Sequence, residues 1–477
     1  YVGETDVRID TSAHGQSWDN EVINKQQFED GLRQDEPTPD EELDKLPIST
    51  EVNGEWQTFP NAAAANEALN AEPVPEAAGN FHITDDNLGV GGPKQKFARN
   101  IEAIQTLRTL EQEHRGATAE EQQVLSQYVG WGGLADVFDP NKENWSAEYT
   151  QLKGLLTEEE YAAARASTLN AHYTSPVVIR AIYDAVEKMG FQSGNILEPS
   201  MGIGNFFGML PSGMADSRLY GVELDSITGR IAQKLYPQAD ITVAGFETTD
   251  RRDFYDLAVG NVPFGQYKVN DKAYNKLGFS IHNYFFAKTI DQIRPGGVIA
   301  FVTSRFTMDS KDSSARKYMA ERADLLGAIR LPNNAFKANA STEVVSDILF
   351  LQKRDRPADI EPAWVQLGKT EDGFAINQYF VDHPEMILGE LTTESTQYGR
   401  EELTVAPIEG AVLADQLAEA VQHIEGQYVE VEVETPDVAD AEVERKTLPA
   451  DPDVKNFSYA VVDGEVYYRE NSIMTQV

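Results

Sequence analysis

The sequence predicts an α/β protein built around a doubly wound, mostly parallel sheet. Seven short apolar segments between residues 195 and 351 have the length and composition of buried strands, and helical patterns separate the first five. A glycine-rich turn follows the first of these segments, and polar side chains follow several others. Ligands bind such sheets at the carboxyl ends of the strands, so we expect a site there.

Helices are expected before the sheet. Ile101, Ile104, Leu107 and Leu110 recur at three-residue spacing on one face of a predicted helix. Residues 119–128 and 157–169 also have helical patterns. The predicted strands are residues 195–198, 219–223, 241–244, 257–260, 298–303, 325–331 and 345–351.

Charge divides the chain into three parts. The 477 residues contain 78 acidic and 40 basic side chains, a formal net charge of -38. Residues 1–90 hold 20 acidic and 4 basic side chains, residues 91–356 hold 32 and 30, and residues 357–477 hold 26 and 6. The centre is therefore close to neutral and the flanks are acidic.

These differences predict five segments. Residues 1–90 lack apolar periodicity and are expected to be mostly disordered, because they cannot bury enough apolar surface to offset the entropy of ordering. Residues 91–170 form a helical extension, residues 171–356 the α/β domain, and residues 357–425 an accessory segment. Residues 426–477 are an acidic linker followed by a short hairpin around Asp463 and Gly464. Residues 430–453 also fit an exposed edge strand. Because the chain starts at Tyr1 and ends abruptly at Val477, we expect a piece of a longer polypeptide.

Composition excludes several kinds of site. The chain has no cysteine, which excludes disulfides, thiolate zinc sites and a cysteine nucleophile. The seven histidines are scattered, so no metal site is expected. We find neither a signal peptide nor an apolar run long enough for a membrane span, which favours a cytoplasmic location.

The glycine-rich turn favours a positively charged ligand. Glu198 ends the first strand. Gly202, Gly204 and Gly208 follow as G-x-G-x-x-x-G, which does not match the dinucleotide-binding pattern G-x-G-x-x-G. A pyrophosphate would be repelled by the Glu198 carboxylate, whereas the sulfonium and ammonium groups of S-adenosylmethionine would not. The alternative is a purely structural strand–helix turn.

Two later strand ends fit the same ligand. Glu223 ends the second strand, where a carboxylate can accept hydrogen bonds from both ribose hydroxyls, and Asp225 is expected to cap the next helix. Phe246 and Glu247 follow the third strand, where an adenine ring and its amino group would lie. A solvated loop acid is the alternative for Glu247.

The segment Asn261-Val262-Pro263-Phe264 resembles the Asn-Pro-Pro-Phe/Tyr motif of amino-methyltransferases that act on adenine N6, cytosine N4 or a protein glutamine. The resemblance implies that the Asn261 carboxamide and a backbone carbonyl near Val262 accept the amine hydrogens, and that Phe264 stacks on a flipped base. Val262 departs from the family, in which proline is usual.

Residues 170–176 resemble the Thr-Pro segment that contacts the methionine end of the cofactor, although a helix start capped by Thr174 or Ser175 fits equally well. This segment precedes the Asn261 motif, which is the order seen in the gamma class of DNA amino-methyltransferases. The resemblance implies a class I S-adenosylmethionine-dependent methyltransferase fold. The implied cofactor contacts are Tyr173, Thr174, Pro176, Glu198, Pro199, Gly202, Gly204, Asn205, Phe206, Glu223, Leu224, Phe246 and Glu247.

The similarity extends beyond the sheet. Residues 97–134 and 377–389 resemble segments of very large phage and plasmid proteins that join an N6-adenine methyltransferase to a helicase, some of them similar to antirestriction proteins. This resemblance implies a helicase region downstream in the full polypeptide. Phe336 is a further candidate for holding the flipped base, with core packing as the alternative.

DNA contact by so acidic a protein requires a local basic surface. Lys268, Lys272 and Lys276 follow the Asn261 motif at four-residue spacing, so in a helix they would lie on one side. A solvated lysine face is the alternative. Residues 357–425 or the amino-terminal helices are candidates for reading the DNA sequence.

The sequence thus predicts a DNA methyltransferase that modifies adenine N6 with S-adenosylmethionine. Cytosine N4 and a protein glutamine remain alternative targets. An alternative of another class is a non-enzymatic antirestriction protein whose acidic flanks imitate DNA.

Overall fold

A computed structural model describes residues 6–9, 21–24, 47–52, 55–61, 63–65, 77–85, 89–168, 174–265, 267–335, 345–395, 401–429, 447–451, 454–462, 464–470 and 473–477. The chain divides into two compact units, Tyr1–Pro75 and Glu76–Val477. In the first unit two antiparallel strand pairs are described, β1 (Asp6–Ile9) with β2 (Glu21–Asn24) and β3 (Ile48–Val52) with β4 (Glu55–Phe59).

The second unit begins with helices that pack beside the sheet. They are α1 (Pro93–Gln112), α2 (Ala119–Ser126), α3 (Ser146–Leu155) and α4 (Glu158–Ser167). The predicted apolar face of α1 is buried from Ile101 to Leu110, which confirms that helix. Thr118 and Thr157 start α2 and α4 with reciprocal capping boxes, which satisfy backbone N–H groups at the first turn. The helical prediction for residues 91–170 is confirmed for these four segments.

The centre is a seven-stranded sheet. Its strands are β5 (Asn195–Glu198), β6 (Arg218–Glu223), β7 (Asp240–Val243), β8 (Tyr255–Asn261), β9 (Ile293–Ser304), β10 (Ala323–Arg330) and β11 (Ser346–Lys353). They lie side by side in the order β10-β11-β9-β8-β5-β6-β7. The pairs from β9 to β7 are parallel, whereas β11 runs antiparallel to both neighbours. All seven predicted strands are confirmed.

Helices cover the sheet, as a doubly wound fold requires. They are α5 (Pro176–Lys188), α6 (Asn205–Gly208), α7 (Ser226–Leu235), α8 (Ile281–Gln292), α9 (Phe306–Asp309) and α10 (Ser314–Arg322). The chain leaves β5 toward β6 on one side and later returns to place β8 on the other side. The carboxyl ends of β5 and β8 therefore border the crevice where the strand order reverses.

The accessory segment packs on the edge of this sheet. It contains β12 (Leu367–Lys369), β13 (Ala375–Asn377), α11 (Gln378–Asp382), β14 (Glu390–Ser395), β15 (Glu401–Ala406) and α12 (Leu413–Gln422). Arg330 at the end of β10 is fully buried and donates to both oxygens of Asp347 at 2.8 and 2.9 Å and to Asp309 at 2.7 Å. Its guanidinium lies 4.3 Å from the ring of Phe380 on α11, which ties the accessory segment to the sheet.

A second sheet follows near the carboxyl end of the sequence. Strands β16 (Thr447–Pro449), β17 (Ser458–Val462), β18 (Glu465–Glu470) and β19 (Ile473–Gln476) form an antiparallel sheet in the order β16-β19-β18-β17. The pairing of β17 with β18 confirms the predicted hairpin, although Asp463 lies outside the described residues. The Asn456 amide donates to the Asp253 carbonyl at 2.7 Å and so joins this sheet to the loop before β8.

The boundary predicted for the amino-terminal tail needs correction. Within residues 1–90 the structure describes four strands and also residues 77–85, which belong to the second unit. Backbone N–H groups of Ala78, Phe81 and Ile83 donate to Ala117, Leu235 and Gly208 at 2.8, 2.8 and 2.7 Å. Residues 77–85 are therefore an ordered part of the second unit, because their backbone N–H groups donate to it.

None of the described helices is both long enough and apolar enough to cross a bilayer.

Candidate active site

The turn after β5 brings backbone to the carboxyl edge of the sheet. Gly202 and Gly204 have φ angles of +56° and +86°, which glycine adopts without strain. A Cβ on Gly202 would meet no described atom within 4 Å, so this backbone borders open space. A Cβ on Gly204 would lie 2.5 Å from the Tyr236 ring, which leaves no room for a side chain. The first glycine thus faces the crevice, and the second allows close packing of the turn.

Glu198, the last residue of β5, is buried with a free oxygen. Only 2 % of the residue is exposed, and its Oε2 has no hydrogen-bond partner among the described residues. Burial, followed by the negative charge of Glu223, holds the pKa of Glu198 well above its usual range. The proline after it, Pro199, is buried too. A buried carboxyl of this kind fits a cationic ligand, since a positive charge would offset its desolvation.

Glu223, the last residue of β6, is half-buried and accepts two backbone hydrogen bonds. Gly202 N–H donates to Oε2 and Asp225 N–H to Oε1, both at 2.8 Å. Burial raises the pKa of Glu223 to about 7, although these hydrogen bonds act in the opposite direction. Asp225 accepts from Thr228 N–H at 2.8 Å and caps α7, so the helix-cap prediction is confirmed.

The neighbour of Glu223 is an exposed apolar side chain. Leu224 is 76 % exposed at the carboxyl edge of the sheet. A flat apolar ligand that packs on Leu224 would be stabilised, because it would remove the leucine side chain from water.

The aromatic residue predicted to meet adenine is part of the core. Phe246 is 4 % exposed, and its ring stacks on Phe285 with a centroid distance of 4.9 Å. Glu247 beside it is exposed. Phe206 is similar, since its ring is buried and lies 6.3 Å from the Tyr183 ring. Asn205 is half-buried at the start of α6.

The Asn261 motif lies at the end of β8, beside the β5 turn. Gly260 has a φ of +151°, and a Cβ there would lie 3.6 Å from Glu198 Cγ and 3.7 Å from Pro199 Cδ. The carboxamide oxygen of Asn261 is buried. The structure therefore brings the motif and the predicted cofactor turn to one place at the switch point of the sheet.

The pairing of β8 with β9 continues for one residue after Asn261. Val262 N–H donates to the Val302 carbonyl at 3.1 Å, and the Val262 side chain is buried. Pro263 and Phe264 are half-buried. The departure from proline at position 262 thus gives the turn a backbone hydrogen bond that proline cannot make.

The Thr-Pro segment starts α5. Ser175 is the residue before the helix, and Pro176 occupies its first turn, as the helix-start alternative predicted. The Ser175 side chain makes no capping hydrogen bond, and Thr174 is 6 % exposed. Tyr173 lies outside the described residues, as does Phe336.

The lysines after the motif lie in a loop and not in a helix, so the condition for a common face is not met. Residues 267–280 form loops and turns with a single 3-10 turn at Asn275–Leu277, so four-residue spacing does not align the lysines on one side. Lys268, Lys272 and Lys276 are nevertheless all exposed. A cavity of about 280 Å³ opens in this loop, lined by Lys268, Val269, Asn270, Tyr274, Asn275, Gly278, Phe279 and Tyr284.

Arg251, Arg252 and Arg316 have partners within the protein. Arg251 and Arg252 pair with Asp240 and Asp291 at 3.3 and 3.4 Å. Arg316 is 1 % exposed and donates to backbone carbonyls, including that of Val365 at 2.8 Å. These arginines are held by internal partners.

Three residues that sequence patterns did not reveal, Lys288, Tyr284 and His282, contact the loop after the motif. Lys288 on α8 is 4 % exposed and pairs with Asp271 at 2.8 Å, and Tyr284 donates to the same carboxylate at 2.9 Å. His282 is buried beside Ser280 at 3.0 Å, and burial lowers its pKa to about 4, so it is uncharged at neutral pH. No sequence signal marks these contacts, because lysines and histidines of predicted helices are usually solvated.

Comparisons with known proteins give two relatives of this chain. No family model matches it. It is 29% identical over 270 residues to defense against restriction protein B of Escherichia phage P1, a match that covers 55% of this chain and 10% of that protein. It is 34% identical over 93 residues to the type II methyltransferase M.CvrRI of Paramecium bursaria Chlorella virus XZ-6E, covering 19% of this chain and 24% of that protein.

Solved structures show weaker likeness. A class I S-adenosylmethionine-dependent methyltransferase from Listeria monocytogenes has 17% identity and a TM-score of 0.36, covering 56% of this chain and 90% of that one. A modification subunit of a type I restriction enzyme from Vibrio vulnificus YJ016 has 16% identity and a TM-score of 0.33, covering 49% and 64%.

The strand order decides the fold. Three parallel strands lie on one side of the switch point, and on the other side β11 enters antiparallel between β9 and β10. The fold is that of a class I S-adenosylmethionine-dependent methyltransferase. The predicted fold class is therefore confirmed. Glu198, Glu223 and Asn261 lie at the carboxyl edge of the sheet, where doubly wound folds bind ligands.

Proposed function

We propose that this chain methylates adenine N6 in DNA, with S-adenosylmethionine as the methyl donor. The observation that carries the proposal is the position of Asn261-Val262-Pro263-Phe264 at the end of β8, next to the Glu198 turn. The similarities to a viral type II methyltransferase and to a phage protein named for defense against restriction support a DNA target.

The carboxyl edge of the sheet suits this cofactor. The carboxyl of Glu198 favours a cationic centre, Glu223 accepts hydroxyl donors, and Leu224 offers an exposed apolar side chain. Gly202 leaves the space that a closely bound ligand needs. When bound, S-adenosylmethionine supplies an electrophilic methyl group.

Asn261 is the proposed catalytic residue. An exocyclic amine of adenine is a poor nucleophile, because its lone pair is delocalised into the ring. The Asn261 carboxamide oxygen and the backbone carbonyl beside Val262 accept its two hydrogens, which favours the tetrahedral nitrogen and stabilises the positive charge that develops there. Phe264, half-buried next to them, stacks on the flipped base and holds it in line.

DNA binding is proposed for the loop that follows the motif. Lys268, Lys272 and Lys276 are exposed on it, and half-buried Phe279 lines its cavity together with Lys268. Ammonium groups contact phosphates, and aromatic rings stack on unpaired bases. The loop is held by the buried pair of Asp271 and Lys288, so its lysines are presented from a fixed base.

The wider context is also a proposal. The match covers 10% of the phage P1 protein, which supports a role for this unit within a much larger polypeptide. We propose a helicase region in that polypeptide, as the resemblance to methyltransferase–helicase proteins implies. Residues 357–425 or the amino-terminal helices are proposed to read the DNA sequence.

A non-enzymatic antirestriction role is the second candidate, favoured by the name of the phage P1 relative. In that role the acidic flanks would imitate DNA, and the methyltransferase site would be dispensable. Charges that imitate DNA must sit on a rigid surface, yet most acidic side chains lie outside the near-neutral residues 91–356 that contain the seven-stranded sheet.

The decisive test compares the chain with Asn261→Ala. We expect wild type to leave N6-methyladenine in the DNA of expressing cells, read by single-molecule sequencing together with the sequence context. Asn261→Ala should keep the fold and cofactor binding but lose at least about a hundredfold in methyl transfer, the usual loss for one such charge-stabilising group. Methylation at wild-type rate would remove Asn261 from the mechanism.

The same experiment separates the targets. Methylation of cytosine N4 would show that cytosine, and not adenine, is the target base. Unmodified DNA together with a methylated protein glutamine would exclude a DNA target. Protection from restriction that survives Asn261→Ala would favour the non-enzymatic role. Phe264→Ala serves as a second variant, and its rate should recover partly on substrates with a mispaired adenine, where flipping costs less.

A further inference from the structure

Glu198, at the centre of the site, is a buried carboxyl with no positive charge beside it among the described residues. It is 2 % exposed, and Oε2 has no partner among the described residues. Its backbone pairs with Gly221 of β6 on one side. On the other side lies Gly260 of β8, where a Cβ would be 3.6 Å from the Glu198 Cγ. An ionised carboxylate enclosed in this way is unfavourable unless a positive charge accompanies it.

The groups around Glu198 do not supply that charge. In the part of the chain that the structure describes, the charged side chain that acts on Glu198 is Glu223 on β6, which adds negative charge. Tyr183 on α5 is the other titratable neighbour; its hydroxyl donates to the Phe206 carbonyl at 2.8 Å, and burial keeps its pKa well above 10. On β8, Gly260 and Asn261 carry no charge.

We propose that Glu198 holds a proton in the free protein and releases it to solvent when S-adenosylmethionine binds, which makes Glu198 the residue that distinguishes the charged cofactor from S-adenosylhomocysteine. The proposal rests on the proposed cofactor and deepens it. One O–H bond of the Glu198 carboxyl breaks, the proton passes to buffer, and the carboxylate pairs with the cationic cofactor. The product lacks the sulfonium charge, so it releases fewer protons.

Glu198, and not Glu223, is assigned the proton because their surroundings differ. Glu223 is half-buried and accepts two backbone N–H bonds, which stabilise its charged form. Glu198 is more deeply buried and has an oxygen with no donor, which favours the acid form.

This coupling sets the direction of the pH dependence. Burial raises the pKa of Glu198 in the free protein, and a bound cation lowers it again. Between these two values, binding of S-adenosylmethionine releases a proton, so its affinity increases with rising pH by up to about tenfold per pH unit. The affinity for S-adenosylhomocysteine increases less steeply over the same range.

The proton count is measured by titration calorimetry of the full chain. Binding of S-adenosylmethionine and of S-adenosylhomocysteine is compared near neutral pH in two buffers of different ionisation enthalpy. Wild type should release about one proton more with S-adenosylmethionine, since one carboxyl changes state. Glu198→Gln should lose this difference and bind S-adenosylmethionine about tenfold more weakly relative to S-adenosylhomocysteine, the loss of a hydrogen bond to a charged group.

A matched control is Glu187→Gln, which removes an exposed carboxyl from α5 outside the site and should release protons as wild type does. Infrared difference spectroscopy of the wild-type chain gives a reading that needs no variant. Addition of S-adenosylmethionine should remove the carbonyl band of a protonated carboxyl. That experiment decides the matter even if Glu198→Gln does not fold.

The outcomes separate this proposal from the proposed function. Cofactor binding without proton release, or equal release by wild type and Glu198→Gln, overturns the role of Glu198 and leaves the methyltransferase assignment standing. Proton-coupled binding with no methylated DNA supports Glu198 and contradicts the DNA target. An absence of S-adenosylmethionine binding overturns both.

Discussion

At the scale of single residues, a backbone hydrogen bond at Val262 holds the Asn261 motif in place. Val262 stands where the related motif has proline, and its N–H donates to Val302 at 3.1 Å. Proline cannot donate, so its rigidity in the family is replaced here by one more step of strand pairing. The carbonyl that we propose for amine binding is kept in both cases.

Val262→Pro tests this replacement. We expect a loss of about 1–3 kcal/mol in the free energy of unfolding, because the buried Val302 carbonyl loses a donor. Methyl transfer by the folded fraction should stay close to wild type, since proline is the usual residue in the motif. Denaturant unfolding and single-turnover rates measure the two effects. Val262→Ile keeps the N–H and the branched apolar side chain, and serves as control. An unchanged stability in Val262→Pro would contradict the structural role of this hydrogen bond.

The same scale shows how far the site could be predicted from sequence. Glu198, Glu223 and Asn261 were predicted because each follows a buried apolar strand, and parallel strands bring their carboxyl ends to one edge. Phe206 and Phe246 were predicted as cofactor contacts, yet their rings pack in the core. An aromatic residue beside a glycine turn has the same sequence pattern whether it meets a ligand or the core.

At the scale of elements, strands were more predictable than their connections. Each of the seven strands of the central sheet is a compact apolar run, which burial on both faces requires. The structure of the loop after the Asn261 motif could not be predicted from the spacing of its lysines, because residues 267–280 form loops and turns although their charges recur at a helical period. Long-range contacts such as Asp271 with Lys288 instead fix this loop.

The amino-terminal segment gives the element-scale prediction. Deletion of residues 1–75 removes the first compact unit and should change the melting temperature of the second unit by no more than a few degrees. Deletion of residues 1–85 also removes three backbone hydrogen bonds and the buried Phe81, so it should lower the melting temperature clearly further. Thermal unfolding of both truncated chains, with S-adenosylmethionine affinity measured beside it, decides the boundary. Equal melting temperatures of the two truncated chains would show that residues 77–85 do not stabilise the second unit.

At the scale of the whole molecule, charge distribution would govern the proposed encounter with DNA. A net charge of -38 repels a polyanion, whereas the loop after the Asn261 motif exposes three lysines. Each lysine that meets a phosphate displaces a condensed counterion, which makes the affinity fall with salt. The acidic flanks add long-range repulsion that salt screens, so the two effects have opposite dependence on salt.

The triple variant of Lys268, Lys272 and Lys276 to Ala separates these effects. DNA binding should weaken across all sequences, and the slope of log affinity against log salt should become shallower by up to about three units if each lysine meets a phosphate. Turnover at saturating DNA should change little, because these residues contact the backbone of DNA and not the target base. The matched control replaces Lys142, Lys317 and Lys455, which are exposed elsewhere, and so makes the same change in net charge. Fluorescence titrations over a range of salt concentrations measure both slopes. A triple variant whose slope equals that of wild type would show that the lysines are a solvated surface, and a control whose slope falls equally would show that net charge, and not the loop, sets the salt dependence.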